Sequence, residues 1–246
     1  MNEKTKRLVL ITGGTSGIGL AAAACVSRDG YTPVLLGRNP ERGREAERKV
    51  QGSRYIPCDV TSTKDINRAV KEAEAMGRIE GLVAAAGQYA EGLVENIRDE
   101  DMENLFRVNV FGVIASVRAV IPVFRKYGRG SIVVVSSDAA VQGNIQGGLY
   151  SATKGAVTAF ARSAALELAV EKVRINVVCP GDIKTPLLKR QFAAYGGSEK
   201  ETAELYPLMR IGRPEEVGEV ISFLLSDRAS FMTGSVVMVD GGLTDW

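Results

Sequence analysis

The sequence predicts an α/β protein with a doubly wound parallel sheet of seven strands and helices on both faces. Two observations support this prediction. Seven short apolar segments alternate along the chain with longer segments of helical periodicity. The apolar segments are hydrophobic at nearly every position, which is typical of parallel strands that are covered on both faces. A chain of this length and class commonly folds as one unit, so we expect residues 1–246 to form a single domain.

The first half of the chain contains four predicted strands, at residues 8–11, 33–36, 54–58 and 82–85. Helices are predicted between them at residues 16–27, 40–50 and 63–76. The last of these is clearly amphipathic, since Ile66, Ala69, Val70 and Ala73 fall on one helical face. Strand, helix and strand in this order predict right-handed crossovers between parallel neighbours.

The second half continues the same alternation. A long helical region at 99–127, interrupted near its middle, precedes a strand at 132–135, a helix at 149–170 and a strand at 175–178. A helix at 214–225 and a strand at 236–239 end the series. Residues 183–209 are expected to be irregular and rich in apolar side chains. Two interpretations of this segment stay open: a lid over a hydrophobic substrate, or packing against the body or a neighbouring subunit.

The composition excludes several kinds of chemistry. The chain has no histidine, which excludes Ser-His-Asp triads, Cys-His pairs and histidine-bearing zinc sites, and we expect no bound metal. Its three cysteines are far apart in sequence, which predicts reduced thiols. The formal charge of +2 is too balanced to indicate nucleic-acid binding. We see no long apolar segment typical of a membrane helix, and we expect a cytoplasmic protein without membrane contact.

A glycine-rich turn, Thr-Gly-Gly-Thr-Ser-Gly-Ile-Gly, follows the first predicted strand and opens the first helix. Glycines permit a tight turn and close approach of a pyrophosphate, and the helix offers free N–H groups to its oxygens. An ordinary strand-to-helix turn is the alternative. The position of the turn favours a Rossmann-like dinucleotide site, with contacts from Gly13, Thr15, Ser16, Gly17, Ile18 and Gly19.

The residue at the end of the second strand indicates which nicotinamide cofactor is used. Proteins that bind NAD(H) usually place a carboxylate about 20 residues beyond the glycines to hold the ribose 2′-hydroxyl. Here that position carries Arg38, and the first carboxylate is Glu41. A guanidinium suits a 2′-phosphate, so we predict NADP(H) rather than NAD(H), unless Arg38 is simply a solvated loop residue.

Without histidine, proton transfer needs another group. Ser137 follows the fifth strand, and Tyr150 and Lys154 lie four residues apart on one face of the next helix. A neighbouring ammonium favours a phenolate, and it is expected to lower the pKa of Tyr150 from its ordinary value near ~10. A surface Tyr/Lys pair with a capping serine is the alternative.

Together these features resemble the short-chain dehydrogenase/reductase family, over essentially the whole chain and in the family's order. The resemblance implies that Ser137, Tyr150 and Lys154 form a catalytic tetrad with Asn109, which would position a relay water. It also implies that Asp59 and Val60 contact the adenine. Contacts with the nicotinamide carboxamide are expected from Pro180, Gly181, Ile183 and Thr185.

One segment departs from the family's pattern. Where the family usually has Asn-Asn-Ala-Gly after the fourth strand, this chain has Ala84, Ala85, Ala86 and Gly87. Both asparagine amides, which would tie the strand to its neighbours, are therefore absent. Ala86 and Gly87 are still expected to let the backbone approach the cofactor.

The resemblance implies an NADP(H)-dependent oxidoreductase that acts on a small carbonyl or secondary alcohol substrate. Reduction of a 3-oxoacyl thioester, carried by acyl carrier protein, is the leading specific hypothesis. Steroid, sugar, polyketide and other small alcohol or ketone substrates remain alternatives, as does a non-catalytic protein that senses NADP(H). Gln88, Tyr89, Gln142 and Asn144 are candidate pocket residues. The resemblance also implies a homotetramer.

Overall fold

The computed structural model of the protein describes residues 6–245, so residues 1–5 and Trp246 of the predicted domain lie outside the described part. Within it, parallel strands form one seven-stranded sheet in the order β3-β2-β1-β4-β5-β6-β7. The strands are β1 Arg7–Thr12, β2 Thr32–Gly37, β3 Arg54–Pro57, β4 Arg78–Ala84, β5 Gly130–Val135, β6 Val173–Pro180 and β7 Val236–Val239. The predicted doubly wound parallel sheet is confirmed.

Nine α-helices connect the strands within residues 6–245. They are α1 Gly17–Arg28, α2 Pro40–Lys49, α3 Thr63–Met76, α4 Asp99–Phe106, α5 Gly112–Tyr127, α6 Gly148–Ala169, α7 Pro186–Tyr195, α8 Glu199–Ala203 and α9 Pro214–Leu225. Local sequence explains several of their starts. For example, the side chains of Asn39 and Ser62 cap α2 and α3 by accepting backbone N–H groups from Arg42 and Asp65.

The sheet order places a crevice at the centre of the molecule. β1 pairs with β2 on one side and with β4 on the other, so the chain reverses its winding direction beside β1. Connections on the two sides of this point lead away from each other, which leaves a cleft at the carboxyl ends of the strands. Thr12 of β1 and Ala84 of β4 are register partners at that edge.

Two apolar layers cover the sheet. On one face, α3, α5 and α6 bury a cluster that includes Ile66, Val117 and Val157. On the other face, α1 and α9 contribute Ala22, Val26, Val217 and Ile221 to a second cluster. Because successive strand residues point to opposite faces, continuous apolar strands fill both layers. The three cysteines are buried and unpaired, as expected for reduced thiols.

The long helical region is interrupted by a π-helical stretch, Arg107–Phe111, which joins α4 to α5. The predicted interruption near the middle is thus confirmed. Contrary to expectation, the continuous stretch Asp99–Tyr127 is long and apolar enough, by composition alone, to cross a membrane. Half of its most apolar window is buried, and Val117, Val120 and Phe124 pack in the core of the protein. Packing inside this protein therefore accounts for the buried half of this window.

Residues 183–209 contain two helices, α7 and α8, so the expectation of an irregular segment is wrong. Thr185 and Ser198 cap them with their side-chain oxygens. Leu188 and Tyr206 are buried with Ile211 in a small separate core. Other apolar side chains of the segment are exposed, namely Tyr195, Leu205, Leu208 and Met209. The segment is therefore anchored to the body at some positions and open at others.

Candidate active site

The glycine-rich turn brings its backbone unusually close to neighbouring chain segments. Gly13 has φ +66°, and a Cβ there would lie 2.9 Å from the carbonyl oxygen of Ala85. A Cβ on Gly19 would lie 2.4 Å from the carbonyl oxygen of Gly13, closer than a side chain tolerates. Glycine is therefore required at both positions, and the turn presents bare backbone at the carboxyl edge of β1.

A groove of about 190 Å³ lies beside this turn, between the ends of β1, β2, β3 and β4. Seven of the residues predicted for the cofactor line it: Gly13, Thr15, Arg38, Asp59, Val60, Ala86 and Gly87. Arg42 also lines the groove, and its backbone N–H donates to the Asn39 side chain at 2.9 Å. Two arginines in the lining of a narrow groove suit a nucleotide that carries an additional phosphate.

Thr12 ties the segment that lacks the two asparagines to the neighbouring strand. Its hydroxyl oxygen accepts the backbone N–H groups of Ala85 and Ala86, at 3.1 and 3.2 Å. These two bonds fix the end of β4 against the end of β1. The Ala-Ala-Ala-Gly segment is therefore held in place from the neighbouring strand, and it still presents Ala86 and Gly87 to the groove.

A second cavity, of about 380 Å³, opens at the carboxyl ends of β5 and β6. Seven more of the predicted site residues line it: Ile18, Ser137, Tyr150, Pro180, Gly181, Ile183 and Thr185. Five of the predicted residues line neither cavity: Ser16, Gly17, Gly19, Asn109 and Lys154. Ser16 and the two glycines belong to the turn itself, whereas Asn109 and Lys154 are buried behind the cavity wall.

Lys154 lies behind the wall of the second cavity that contains Ser137 and Tyr150, and its amine forms one hydrogen bond. Its Nζ donates to the carbonyl oxygen of Val135 at 3.0 Å and lies 5.5 Å from the centroid of the Tyr150 ring. Burial lowers the pKa of Lys154 to about 8, because removal from water penalises the charged amine. The amine is thus positioned between the tyrosine and the end of β5.

Tyr150 does not show the low pKa that the sequence suggests. Burial raises its pKa, and the nearby carboxylates of Asp138 and Asp182 raise it further, while a hydrogen bond with Ser137 opposes them. The amine of Lys154 does not lower the pKa of Tyr150 enough to cancel the effect of burial. Tyr150 is therefore protonated at neutral pH, as a proton donor must be, and burial makes its phenol a weaker acid than a free tyrosine.

Ser137 is fixed by its immediate neighbours. Its hydroxyl donates to the carboxylate of Asp138 at 2.6 Å and accepts the backbone N–H of Ala139 at 3.2 Å. Ser137 also caps the 3₁₀ turn Asp138–Ala140 that follows β5. This turn keeps the serine oxygen at the cavity wall beside Tyr150.

Asn109 lies in the π-helical stretch, and its side chain bonds in three directions. Its Oδ1 accepts the backbone N–H of Gln88 at 2.8 Å, and its Nδ2 donates to the Gln88 carbonyl at 2.9 Å and to Thr153 Oγ1 at 3.1 Å. Both amide protons are therefore used, and only one lone pair of Oδ1 remains for a water. Asn109 links the loop after β4 to α6.

Sequence reasoning missed several residues at this site. Asp138 and Asp182 line the second cavity, and so do Glu91 and Leu205. The position of Asp138 next to Ser137 was a usable signal. Asp182 had a similar signal, because it lies between the predicted contacts Gly181 and Ile183, but its pairing with Tyr206, 24 residues away, forms only in the folded chain. Of the candidate pocket residues, Tyr89, Gln142 and Asn144 line this cavity, whereas Gln88 lines the groove.

The fold and these two adjoining cavities define a dinucleotide-binding protein of the Rossmann type. Comparison with known proteins narrows the class. A family model described as Enoyl-(Acyl carrier protein) reductase matches residues 13–244. The chain therefore belongs to the short-chain dehydrogenase/reductase family of oxidoreductases, as the resemblance predicted.

Similar proteins with known names extend over nearly the entire chain. A 3-oxoacyl-[acyl-carrier-protein] reductase of Bos taurus is 35% identical over 96% of this chain and 98% of its own length. A cyclopentanol dehydrogenase of Comamonas testosteroni is 36% identical over 99% of each chain.

Two solved structures are also similar. An actinorhodin polyketide ketoreductase variant with NADPH has a TM-score of 0.93 at 28% identity and covers 98% of both chains. ElxO with NADP bound has a TM-score of 0.91 at 27% identity and covers 99% of this chain and 100% of its own.

Proposed function

We propose that this protein uses NADP(H) to interconvert a small ketone and the corresponding secondary alcohol. One observation carries the proposal: Ser137 and Tyr150 share a cavity with Lys154 directly behind it, next to a groove that contains two arginines. A hydroxyl pair beside a dinucleotide groove can hold and protonate an oxygen while a hydride moves to the adjacent carbon. Solved neighbours that are named with NADP or NADPH bound support the choice of cofactor.

The groove would hold the adenosine half of the cofactor. Arg38 and Arg42 suit a 2′-phosphate, Asp59 can accept from the adenine amino group, and Val60 supplies an apolar wall. The turn at Gly13 and the start of α1 suit the pyrophosphate. The nicotinamide end would lie along Pro180, Gly181, Ile183 and Thr185. When it is bound, NADPH supplies the hydride for the reaction.

The side chains of this protein would handle the proton. In reduction, the Ser137 hydroxyl would turn its one proton from Asp138 to the carbonyl oxygen, which also accepts a hydrogen bond from Tyr150. The Tyr150 hydroxyl transfers its proton to that oxygen as the carbon is reduced. Asn109 and Lys154 then support reprotonation of Tyr150, with a relay water held at the free lone pair of Asn109 Oδ1. The reverse steps oxidise the alcohol. Tyr150 starts reduction in its protonated form, because its ordinary pKa of about 10 already lies above neutral pH and burial raises the pKa further.

The substrate is proposed at the level of candidates. A 3-oxoacyl thioester, carried by acyl carrier protein, is supported by the names of curated relatives, and a small cyclic alcohol is supported by another relative's name.

We also propose that residues 1–246 form one domain. In this domain, the lid segment, residues 183–209, contributes Leu187, Leu188 and Leu205 to the lining of the substrate cavity. The exposed side chains of Leu166 in α6 and Val170 at its C-terminal end support pairing of subunits in a homotetramer. We place the protein in the cytoplasm.

A substrate screen tests the proposal. The purified protein is assayed with a panel of ketones, 3-oxoacyl thioesters and secondary alcohols, each with NADP(H) and NAD(H), by the absorbance of reduced nicotinamide. We expect turnover with NADPH that Tyr150→Phe nearly abolishes, while NADPH binding, followed by fluorescence titration, stays close to that of the wild type. NADPH binding without turnover of any substrate would indicate a sensor. Normal turnover by Tyr150→Phe would disprove the role of this tyrosine.

A further inference from the structure

The substrate cavity has an unusual charge. The charged side chains among its described lining residues are Glu91, Asp138 and Asp182, and all three are acidic. No lysine or arginine of residues 6–245 lines this cavity. Lys184, which follows the cavity residue Ile183, is exposed and pairs with Glu199 at 2.9 Å. The cavity therefore carries concentrated negative charge beside the reacting groups.

Each of these carboxylates is held by a hydroxyl group. Ser137 donates to Asp138 at 2.6 Å, Tyr206 donates to Asp182 at 2.9 Å, and Tyr89 donates to Glu91 at 2.8 Å. A hydroxyl donor fixes the direction of a carboxylate but does not neutralise its charge. The three groups are thus oriented in advance, and their charge remains available to a ligand.

Ion pairs within the described chain do not balance this charge, and the amine of Lys154 behind the cavity wall donates to the Val135 carbonyl oxygen instead. None of the three carboxylates forms an ion pair among residues 6–245. Asp138 is only 9% exposed, and burial raises the pKa of both Asp138 and Asp182. Partly buried carboxylates without a cation are costly, and a ligand that excludes more water makes them costlier unless it brings positive charge.

The cavity also offers aromatic surface for a cation. Tyr89 and Tyr150 both line it, and their rings meet edge to face with centroids 4.9 Å apart. Aromatic faces attract ammonium groups, and the attraction is strongest where water is excluded. Carboxylates and tyrosine rings in one cavity are the combination that recognises an organic ammonium group.

We infer that the preferred substrate is a ketone or secondary alcohol that also carries a protonated amine, held by Asp138, Asp182 and Glu91. This inference rests on the proposed function, because it concerns the substrate of the same cavity. The same charge disfavours a carboxylate substrate. A 3-oxoacyl thioester is neutral at its reacting end, so it gains nothing from these side chains. The cavity therefore selects amino ketones over neutral ketones and acidic ones.

Binding of unreactive ligands tests the charge preference independently of turnover. Cyclohexylmethylamine, cyclohexanecarboxamide and cyclohexanecarboxylate share a ring and differ in charge, and each is titrated calorimetrically into the NADPH-saturated protein at neutral pH. The reduced cofactor is used because its nicotinamide ring is uncharged. We expect the amine to bind about tenfold more tightly than the amide, which corresponds to one well-placed charge interaction, and the carboxylate to bind most weakly.

Single substitutions then assign the effect. Asp182→Asn and Glu91→Gln keep a hydrogen-bond acceptor for Tyr206 and Tyr89, and each should reduce the amine's advantage over the amide severalfold. Asp227→Asn removes the same charge from an exposed position at the opposite end of the sheet, where Asp227 pairs with Arg129, and should leave that advantage unchanged. Equal binding of all three ligands, or tighter binding of the carboxylate, would overturn the inference.

A turnover assay separates this inference from the proposed function. 4-Aminocyclohexanone, 4-methylcyclohexanone and 4-oxocyclohexanecarboxylate are compared by kcat/KM with NADPH. We expect kcat/KM to fall in this order, with the amino ketone turned over fastest and the carboxylate slowest. Turnover in the reverse order supports the oxidoreductase function and overturns the inference. Tight amine binding without any ketone turnover supports the inference's charge preference and contradicts the proposed reaction.

Discussion

The ring of Tyr89 lies edge-on against the ring of Tyr150, with centroids 4.9 Å apart and planes inclined by 61°. Tyr89 is itself held by Glu91, through a hydrogen bond of 2.8 Å, and by the ring of Tyr195 at 6.1 Å. Tyr195 ends α7. The orientation of Tyr150 is therefore tied to the loop after β4 and to the segment that borders the substrate cavity.

Removal of the Tyr89 ring should lower kcat. An edge-to-face pair contributes about 0.5–1.5 kcal/mol, so loss of orientation at Tyr150 should reduce kcat about two- to tenfold in Tyr89→Leu. Tyr89→Phe keeps the ring and loses only the hydrogen bond to Glu91, and it should stay closer to the wild type. Steady-state kinetics of both variants checks this. Wild-type kcat in Tyr89→Leu, with its fold intact, would show that the contact does not position Tyr150.

Arg38 should determine the preference for NADP(H). Charge-assisted hydrogen bonds to a phosphate contribute about 1.5–3 kcal/mol, so Arg38→Ala should weaken NADPH about ten- to a hundredfold. NADH lacks the 2′-phosphate, and its KM should barely change. The ratio of kcat/KM for the two cofactors, measured in wild type and variant, gives the result directly.

Arg42 provides the matched comparison for Arg38. It lines the same groove, and its backbone N–H is fixed by Asn39 at the start of α2. Arg42→Ala removes the second guanidinium and should weaken NADPH in the same direction. A wild type that turns over NADH faster than NADPH would reverse the interpretation of both arginines.

Much of this fold could be predicted from the chain because buried parallel strands leave a strong local signal. Leu8, Val9, Leu10 and Ile11 are continuously apolar, and all four are buried in the structure. The two helices within residues 183–209 were missed because they are short and only partly buried. Their caps were nevertheless visible, since Ser198 and Glu201 have the spacing of a capping box and Thr185 precedes a proline.

The sequence predicts those parts of the site in which neighbouring residues of one short motif lie on the same element, such as Tyr150 and Lys154 on a single helix. Properties that depend on distant partners could not be predicted. Lys154 was expected to lower the pKa of Tyr150, but burial and the carboxylates of Asp138 and Asp182 dominate. Asp182 is positioned by Tyr206, 24 residues away. Neither burial nor such long-range pairs can be derived from local spacing.

The buried amine of Lys154 should leave a signature in the pH dependence of stability. Burial lowers the pKa of Lys154 from 10.5 to about 8 in the folded protein. Between these values the folded state has released the proton while the unfolded state still binds it, so the free energy of unfolding rises with pH. The full effect is about 3 kcal/mol, of which about 2 kcal/mol falls between roughly pH 7.5 and pH 10.

Lys154→Met isolates this effect, because the variant lacks the amine and keeps a flexible apolar chain. Urea unfolding of both proteins at the two pH values gives the difference in free energy of unfolding. That difference should shift in favour of the wild type by about 2 kcal/mol as the pH rises. A difference that does not change with pH would mean that the amine keeps its ordinary pKa in the folded state.

Asn109 should stabilise the protein and shape the cofactor groove at the same time. Its side chain binds both backbone groups of Gln88, and Gln88 lines the groove. In Asn109→Asp, a carboxylate oxygen replaces the amide nitrogen and faces the Gln88 carbonyl oxygen at a buried position. Loss of these donors should cost about 1–3 kcal/mol of unfolding free energy and weaken NADPH binding, as measured by urea unfolding and fluorescence titration.

The partner Thr153 distinguishes these two roles of Asn109. Thr153→Val removes the acceptor at 3.1 Å from Asn109 Nδ2 and the hydroxyl that donates to the Tyr150 carbonyl oxygen within α6, and it leaves the pair with Gln88 intact. It should therefore lower stability without a comparable loss of NADPH affinity. If Thr153→Val and Asn109→Asp weaken NADPH binding equally, the loss of affinity arises from the contact of Asn109 with α6 and not from its contact with Gln88 in the loop after β4. A selective loss in Asn109→Asp shows that this asparagine maintains the groove through Gln88, in addition to any water it holds for Lys154.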